Sequence, residues 1–513
     1  MFKLKLVSLL FLGMAISLNG IAQKKALKGL DAYLEESRVS YNVPGMSVAL
    51  VKDGKTIYEK GFGLKDVKTG EKVDANTLFA IASNSKAYTA TMMAMLVEEG
   101  KVSWDDKVKA HLPWFELYDV YVSNEMTLRD LLCHRSGLAT FSGDLIWYGS
   151  KYSAEEVVRR AKHLEQTFDF RAGYGYQNIM FLAAGLVIEE VTGESWAVNC
   201  KKRILGPLGM NSTLCSITEF TPKTNLAAPH NEVEGKNVSI NWVNWDNVAA
   251  AGGLISSAHD EAEWLKFNLN KGICKGDTLM QSSTMYGLWE TYNPQPQGEW
   301  SRNFYTGRTA QGYGMGWQTM IYHGERVIHH GGGYDGMISH SFFLPEKGIG
   351  GVVLTNSISS LSYFMCYELI DRLLGFEQKV DWPAKVLPLI QGSVAGDKVA
   401  EEDFNKARVL DTNPSLALSN YAGKYEDKMY GIVELTVNGD QLDFQFEPTP
   451  LFRGSLSHWH YDTFRLTWGE QMMLPKGTAQ FVLNPAGQVD ELKIDVPNPD
   501  FDFTELHFKK LAE

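Results

Sequence analysis

The sequence predicts an α/β domain that is followed by a small all-β domain. Strand patterns occur at residues 46–63 and again at 340–344 and 350–354, and helix patterns lie between them. Because strands precede and follow the helices, the sheet must be assembled from distant parts of the chain. From Tyr421 onward, apolar and polar residues alternate without a helical period, which predicts a separate barrel or curved sheet.

The first strand pattern is that of a β-hairpin. The apolar run MSVALV is followed by the turn pair Asp53 and Gly54 and by a second alternating segment. Helices are predicted over 86–99 and 178–191, because apolar residues recur there at helical spacing and a glycine follows each segment. A further helix is predicted to begin after Thr127, whose side chain can cap it.

Residues 381–415 are predicted to be a linker between two domains, 23–380 and 416–513. The segment PAKVLPLIQGSVAGDK is linker-like and poor in helix signals, and a charged stretch follows it. The C-terminal domain is predicted to be barrel-like, because its apolar residues point one way along successive half-buried strands. These residues are Val433, Leu435, Val437, Leu442, Phe444, Phe446, Phe464, Leu466, Trp468, Leu492, Ile494 and Val496.

Residues 1–22 have the pattern of a secretory signal peptide. Two lysines precede an apolar run from Leu6 to about Ile16, and small residues at Gly20 and Ala22 mark a cleavage site. The apolar run is shorter than the roughly 20 residues that a membrane-spanning helix needs. An uncleaved anchor is the alternative, which the small residues disfavour. We therefore expect an exported protein, periplasmic or secreted, with a mature chain that begins near Gln23 and no stable membrane insertion.

The composition excludes several classes of partner. The chain has 61 acidic and 49 basic residues, a formal net charge of −12. Such a surface repels phosphate groups, so nucleic acid and anionic membranes are poor partners. The five cysteines are an odd number without CxxC spacing, which predicts neither a disulfide framework nor a thiolate zinc site, and a bridge or two at most.

Ser83 and Lys86 are the first candidates for a catalytic site. They lie three residues apart in the sequence SNSK, at the start of a predicted helix, and therefore share one helix face. A serine hydroxyl is a weak nucleophile, and a lysine that a dry site keeps neutral can serve as its base. A capping serine with a solvated lysine is the alternative interpretation of the spacing alone.

Tyr176 and Asn178 are the second candidates, in the sequence YQN immediately before an apolar helix. A lysine ammonium favours the phenolate form of a nearby tyrosine, so we expect a lowered pKa for Tyr176 and a role in proton transfer. Asn178 can orient Lys86 and donate to a substrate. Taken alone, this triplet would favour the alternative interpretation, a helix cap by Asn178 and a buried tyrosine where two domains meet.

The glycine-rich segment HHGGGYDG is the third candidate. Glycines at 331–333 allow a substrate to approach the backbone closely. His329 and His330 raise the question of a metal site, with His323 and His340 nearby. Adjacent histidines on a strand point to opposite faces, and no acidic or cysteine ligand is spaced to help, so no metal is predicted.

In this order, SNSK, YQN and HGG resemble the three motifs of the penicillin-recognising serine hydrolases. The chain resembles their class C β-lactamase-related branch, which includes D-alanyl-D-alanine carboxypeptidases, D-aminopeptidases and esterases. Supporting segments are MTLRDLLCHRSGLAT, AAGGLISSAHDEAEWL and YGMGW, and the resemblance covers roughly residues 30–370. It implies a serine β-lactamase-like sandwich, an antiparallel sheet flanked by helices, with a helical subdomain. The tail resembles the small β-rich domain that is often appended to such hydrolases.

The resemblance also implies roles for individual residues. Ser83 would be the nucleophile, with Lys86 and Tyr176 as the proton-transfer pair. The other implied site residues support the substrate or its oxyanion: Asn178, His330 and Gly332, and the backbone N–H groups of Ser83 and Gly333 as the oxyanion hole.

Two features depart from the family pattern. Lys68, Thr69 and Gly70 match a lysine-containing third motif by letter, but they precede the nucleophile in a polar turn, so we interpret them as a chance match. At the expected position, His330 replaces the lysine and Gly331 replaces a hydroxyl residue. Because the family uses that lysine and hydroxyl on the carboxylate of β-lactams, antibiotic hydrolysis is disfavoured.

The sequence therefore predicts an exported serine hydrolase that forms an acyl-enzyme on Ser83 and cleaves a small amide or ester. A peptide that contains D-residues, or an ester, is the expected substrate, and the cell wall is one source of such a peptide. Two alternatives stay open: a true class C-like β-lactamase, and a penicillin-binding receptor that deacylates slowly. The mechanism needs no metal and no cofactor.

Overall fold

The computed structural model describes residues 26–376, 380–469, 473–498 and 500–512. Its largest sheet has eight strands, and all neighbouring strands in it are antiparallel. Distant parts of the chain supply these strands, as the sequence predicts. In spatial order, the strands are Lys55–Gly63, Gly45–Lys52, Ile349–Thr355, Met337–Leu344, Glu325–Tyr334, Gln318–Tyr322, Arg308–Tyr313 and Asn293–Pro294.

The strand Gly45–Lys52 shows how the sheet is buried on both faces. Val48 belongs to the core that contains the helix Leu361–Leu374, whereas Val51 belongs to the core that contains the helix Ala258–Leu269. Successive side chains of a strand point to opposite faces, so an unbroken apolar run indicates a strand that is covered on both sides. The predicted sandwich of an antiparallel sheet between helices is confirmed.

The predicted helical region consists of helices that follow the first two strands of the sheet in the chain and precede its other six strands. The two helices that the sequence predicts there are Ser85–Glu98 and Asn178–Thr192, and they pack against each other. Gly193 ends the second of these with φ 70°, a left-handed conformation that suits glycine. The other helices of the described chain are Leu30–Ser40, Val108–His111, Val120–Glu125, Leu128–Leu131, Ala154–Arg160, Trp196–Cys200, Gly206–Leu208, Ala249–Gly252, Ser282–Trp289, Glu299–Phe304 and Leu418–Tyr421.

The C-terminal domain is a closed barrel of eight strands. The alternating apolar residues that predicted it are buried in its interior, for example Val433, Phe444 and Leu492, except Val437, which is exposed near the end of its strand. The prediction of an all-β, barrel-like domain is therefore confirmed. The strands are Gly423–Asp427, Gly431–Asn438, Gln441–Phe446, Arg453–His460, Thr463–Trp468, Gly477–Leu483, Val489–Asp495 and His507–Lys510.

The sequence analysis predicted that the segment 381–415 is poor in helix, and this prediction is wrong. Trp382–Lys406 forms a helix of 25 residues, and Asp381 caps it by accepting a hydrogen bond from Ala384 N at 3.1 Å. The indole of Trp382 is fully buried against the N-terminal domain, which anchors the start of the helix. The prediction was wrong because it weighed the prolines and glycines of this segment as helix breakers and missed the cap.

Two further predictions concern the N-terminal segment and the cysteines. The predicted signal peptide, residues 1–22, lies outside the described residues. Within the described ranges, no helix is both long and apolar enough to cross a membrane. All five cysteines lie in described segments and are free thiols.

Candidate active site

The candidate nucleophile Ser83 lies in a 3₁₀ turn, Ala82–Asn84, that leads directly into the helix Ser85–Glu98. Ala82 has φ 45°, a left-handed conformation that is strained for a residue with a side chain. Such strain persists only where surrounding structure holds it, and it is frequent at functional sites. One helical turn further, Lys86 Nζ lies 3.0 Å from Ser83 Oγ, as the spacing of the two residues predicts.

Lys86 is completely buried, and its Nζ donates hydrogen bonds to three oxygen atoms. Besides Ser83 Oγ, the acceptors are Asn178 Oδ1 at 2.6 Å and Ala251 O at 2.9 Å. Burial disfavours the ammonium form and lowers the pKa of Lys86 from 10.5 to about 7, although the charge of Asp144 acts in the opposite direction. A substantial fraction of Lys86 is therefore neutral at pH 7, as a lysine base requires.

Tyr176 lies next to this pair, with its ring centroid 4.7 Å from Lys86 Nζ. Burial raises the pKa of Tyr176 well above 10, and a hydrogen bond with Ser83 opposes that shift. The predicted lowering of this pKa is therefore wrong, because the loss of solvation of the phenolate outweighs the hydrogen bond with Ser83 that opposes it. Tyr176 stays protonated. The ring of His134 packs on it at a centroid distance of 4.2 Å and helps to fix its orientation.

Asp144 is a site residue that the sequence analysis missed. It is almost completely buried, and its Oδ2 accepts a hydrogen bond from Asn178 Nδ2. Burial raises the pKa of Asp144 to about 7, while hydrogen bonds with Trp147 and Asn178 and the charge of Lys86 act in the opposite direction. Hydrogen bonds thus run without a break from Asp144 through Asn178 and Lys86 to Ser83. No motif spacing marks Asp144 in the sequence.

The third motif lies on the strand Glu325–Tyr334, directly beside the turn of Ser83. A Cβ atom at Gly332 would lie 2.1 Å from Ile81 O, so only glycine allows this close approach. Gly333, the next residue, lines the same cavity as Ser83. The oxyanion hole that was assigned to the backbone N–H groups of Ser83 and Gly333 stays a prediction.

His330 is neutral, as expected, and its tautomer follows from its neighbours. Its Nδ1 lies 2.6 Å from Gly331 O, and because a carbonyl oxygen only accepts, Nδ1 carries the proton. Nε2 therefore accepts a hydrogen bond from the hydroxyl of Tyr313 at 2.9 Å. Burial, with a smaller effect of the Lys86 charge, lowers the pKa of His330 to about 3. His330 therefore gains no positive charge near pH 6.5, the usual pKa of an imidazole.

These residues surround a cavity of about 590 Å³. The candidate site residues in its lining are Ser83, Tyr176, Asn178, His330, Gly332 and Gly333. Lys86 contacts Ser83 from within the protein core. The C-terminal barrel supplies part of the wall, which the sequence analysis did not foresee. The lining residues from the barrel are Met473, Leu474, Asn498, Asp500 and Phe501.

Comparison with known families agrees with this geometry. Residues 30–365, more than half of the chain, match the family that is described as Beta-lactamase. The chain belongs to this family. Its members are serine hydrolases, which supports an enzyme of this general class. Residues 407–510 match a second family, a domain of unknown function (DUF3471), so the resemblance of the tail to an appended domain is confirmed.

Relatives of this Beta-lactamase-family chain include one protein that is named as a hydrolase. The unguisins hydrolase ungD of Aspergillus violaceofuscus is 28% identical over 486 residues, which cover 87% of this chain and 84% of that protein. Protein flp of Staphylococcus aureus is 28% identical over 332 residues, which cover 64% of this chain and 62% of flp.

Solved structures show the same fold. The octameric penicillin-binding protein homologue from Pyrococcus abyssi has a TM-score of 0.62 and 23% identity, and the match covers 92% of this chain and 98% of that chain. D-amino acid amidase from Ochrobactrum anthropi SV3 has a TM-score of 0.56 and 24% identity, with 69% of this chain and 97% of that chain covered.

Two sequence features lie outside the site of this Beta-lactamase-family domain. Residues 68–70, the chance match to a lysine-containing motif, form an exposed turn after the strand Lys55–Gly63 and do not line the cavity. His329 Nδ1 lies 3.3 Å from His340 Nε2, so these two imidazoles contact each other. Over the ranges that the structure describes, no three His, Cys, Asp or Glu side chains converge as metal ligands would.

Proposed function

We propose that this protein is a serine hydrolase that acts through an acyl-enzyme on Ser83. The observation that carries this proposal is the 3.0 Å hydrogen bond between Lys86 Nζ and Ser83 Oγ, with a lysine pKa near 7. A serine hydroxyl needs a base within hydrogen-bond reach, and a base is most effective when its pKa lies near the working pH.

The proposed reaction uses four groups of the chain. Ser83 Oγ attacks the carbonyl carbon of the substrate while its proton passes to neutral Lys86. The backbone N–H groups of Ser83 and Gly333 donate hydrogen bonds to the oxyanion that forms. Tyr176, protonated and adjacent to Ser83, passes a proton to the leaving group and regains one from Lys86. Water then attacks the acyl-enzyme, and the hydroxyl of Ser83 is restored.

We further propose that the substrate is a small peptide amide with a D-residue, or an ester, and not a β-lactam. The neutral imidazole of His330 and the absent side chain of Gly331 leave a β-lactam carboxylate without the lysine and hydroxyl that would bind it. Each charge-assisted hydrogen bond to the carboxylate would contribute about 1.5–3 kcal/mol to binding. An uncharged ester or amide makes no such bond, so its binding does not suffer from the missing lysine and hydroxyl. The relationship to a protein named as a hydrolase of unguisins supports hydrolysis of a compound other than a β-lactam.

A true class C-like β-lactamase and a slowly deacylating penicillin-binding receptor are the competing functions. Mass spectrometry of the intact protein after incubation with penicillin separates them: a stable adduct supports the receptor, and an adduct that disappears rapidly supports the lactamase. The proposal predicts neither. It also predicts a higher kcat/KM for a p-nitrophenyl ester or D-alanine p-nitroanilide than for a chromogenic cephalosporin. Efficient cephalosporin turnover at pH 8 would contradict it.

We also propose that the protein is exported. The charged, apolar and small-residue segments of residues 1–22 support this, because a signal peptidase recognises that order. The protein recovered from the periplasm or medium of a bacterial host should begin near Gln23 when its N-terminus is sequenced. Recovery of the unprocessed chain in the cytosol would count against export.

A further inference from the structure

One end of the cavity around Ser83 has an aromatic wall. The rings of Trp147 and Trp245 lie 5.0 Å apart, those of Trp245 and Tyr334 lie 4.7 Å apart, and those of Tyr148 and Phe501 lie 5.0 Å apart. All five side chains line the cavity. Aromatic faces carry partial negative charge, so a cluster of them attracts a cation that is within about 6 Å.

Two carboxylates complete this wall. Asp335, at the turn after the third-motif strand, and Asp500, from the C-terminal barrel, both line the cavity. Asp335 Oδ1 accepts a hydrogen bond from the hydroxyl of Tyr148 at 2.8 Å. Its Oδ2 is buried and has no hydrogen-bond partner among the described residues. A buried carboxylate oxygen without a partner is costly, so a hydrogen-bond donor on a ligand in the cavity would stabilise this atom.

The charges of the cavity point to a positively charged ligand. Within the described part of the chain, the lining contains Asp144, Asp335 and Asp500 but no lysine or arginine side chain. Lys86 is engaged by Ser83 and Asn178 at the reactive end. Burial, with a contribution from the charge of Asp500, raises the pKa of Asp335 to about 6, and an adjacent cation would reverse that shift.

We propose that these five aromatic side chains, together with Asp335 and Asp500, form a wall that binds a protonated amine of the substrate. The inference deepens the proposed function, on which it rests, by adding a substrate class: amides or esters that carry a free ammonium group. The ammonium donates to Asp335 Oδ2 and lies against the aromatic faces. Because Asp500 and Phe501 belong to the C-terminal barrel, the barrel takes part in substrate selection.

Binding of a simple amine tests the inference without any turnover. Isothermal titration of the full-length protein at pH 7 should show 2-phenylethylamine binding at least tenfold more tightly than 3-phenylpropionate, which has a similar shape and the opposite charge. Asp335→Asn and Asp500→Asn should each reduce amine binding by about tenfold. Asp440→Asn removes the same charge from an exposed barrel turn and should leave binding unchanged. Equal binding of the amine and the carboxylate would overturn the inference.

A substrate pair separates failure of the inference from failure of the proposed function. D-phenylalanine p-nitroanilide, with a free amine, should have at least a tenfold higher kcat/KM at pH 7 than its N-acetyl derivative, and Asp335→Asn should bring the ratio toward one. Circular dichroism verifies that each variant is folded. Equal cleavage of both compounds by the unmodified protein refutes the amine site alone. If Ser83 fails to react with an active-site-directed fluorophosphonate, the proposed function is refuted, and the titration still decides the amine site.

Discussion

At the scale of single residues, the burial of Lys86 is the feature from which the chemistry follows. An exposed lysine with a pKa near 10.5 is fully protonated at pH 7 and cannot accept the proton of Ser83. Removal of water from Lys86 lowers its pKa to about 7, while three hydrogen-bond acceptors remain around its Nζ. Asp144 limits this shift, because its negative charge stabilises the ammonium form.

The pH dependence of acylation should therefore follow Lys86. Only the neutral amine accepts a proton, so the rate should rise as pH increases through about 7, from about a tenth of its maximum at pH 6 to about nine-tenths at pH 8. The measurement is kcat/KM for an uncharged p-nitrophenyl ester, corrected for spontaneous hydrolysis. A profile that is flat between pH 5.5 and 8.5 would exclude Lys86 as the base.

Changing Asp144 to Asn should move that profile to lower pH. The substitution removes the negative charge that raises the pKa of Lys86, while the amide oxygen can still accept from Asn178 Nδ2. The midpoint of the kcat/KM profile should decrease, and Asp440→Asn, which changes an exposed acid, should leave the midpoint in place. An unchanged or increased midpoint in Asp144→Asn would show that Asp144 does not act on Lys86.

At the scale of structural elements, the site depends on the approach of one strand to one turn. Ser339 Oγ donates to Ile81 O at 2.8 Å and accepts from Asn84 Nδ2 at 2.8 Å, so the turn of Ser83 is fastened to the central sheet. The strand that carries Gly332 pairs with that of Ser339 and lies against the same carbonyl. A shift of this strand would displace the third motif from Ser83.

Gly332→Ala should destabilise the protein, whereas Gly333→Ala should not. The new Cβ at position 332 would lie 2.1 Å from Ile81 O and 2.6 Å from Ser339 Oγ, and overpacking of this kind typically costs about 1–3 kcal/mol. At position 333 the nearest atom is Ile338 Cδ1 at 3.5 Å, an ordinary contact. Thermal unfolding compares the two variants. Equal Tm values would show that the strand can move away from the turn without cost.

The motifs and the two helices that carry Lys86 and Asn178 could be predicted from the sequence, because they depend on local spacing, whereas the 25-residue helix Trp382–Lys406 was missed. Ser83, Lys86, Tyr176 and Asn178 are brought together as predicted. Asp144 could not be predicted, since its role arises from burial and from contact with a residue on another helix. The predicted direction of the pKa shift of Tyr176 was wrong for the same reason. Spacing along the chain indicates a neighbouring charge, but it does not show how far burial removes water from the two groups.

At the scale of the whole molecule, the C-terminal barrel is part of the site and not an independent appendage. Among the described residues of the barrel, five line the cavity, and Glu505 Oε2 accepts hydrogen bonds from Gly143 N at 2.9 Å and from the hydroxyl of Tyr430 at 2.5 Å. Gly143 immediately precedes Asp144, so the barrel contacts the backbone that positions this acid. A chain that ends near Gln391 would retain Ser83 and its partners but lose one wall of the cavity.

Glu505→Ala should reduce activity although Glu505 does not line the cavity. Loss of the bond to Gly143 N frees the segment that carries Asp144, and a hydrogen bond to a charged group is worth about 1.5–3 kcal/mol, so kcat/KM should decrease at least tenfold. Glu447→Ala is the matched control, because Glu447 is exposed on the barrel and pairs with Lys424. Equal activity of the two folded variants would show that the barrel does not position this segment.

Covalent labelling of Ser83 tests the central claim most directly. After reaction with a fluorophosphonate, the intact mass should increase by one adduct, and peptide mapping should locate that adduct on Ser83. Ser83→Ala should remove it, whereas Ser85→Ala should retain it, since Ser85 Oγ accepts a hydrogen bond from Leu254 N at 3.0 Å and does not line the cavity. An adduct on another residue, or labelling that persists in Ser83→Ala, would contradict the assignment of Ser83 as the nucleophile.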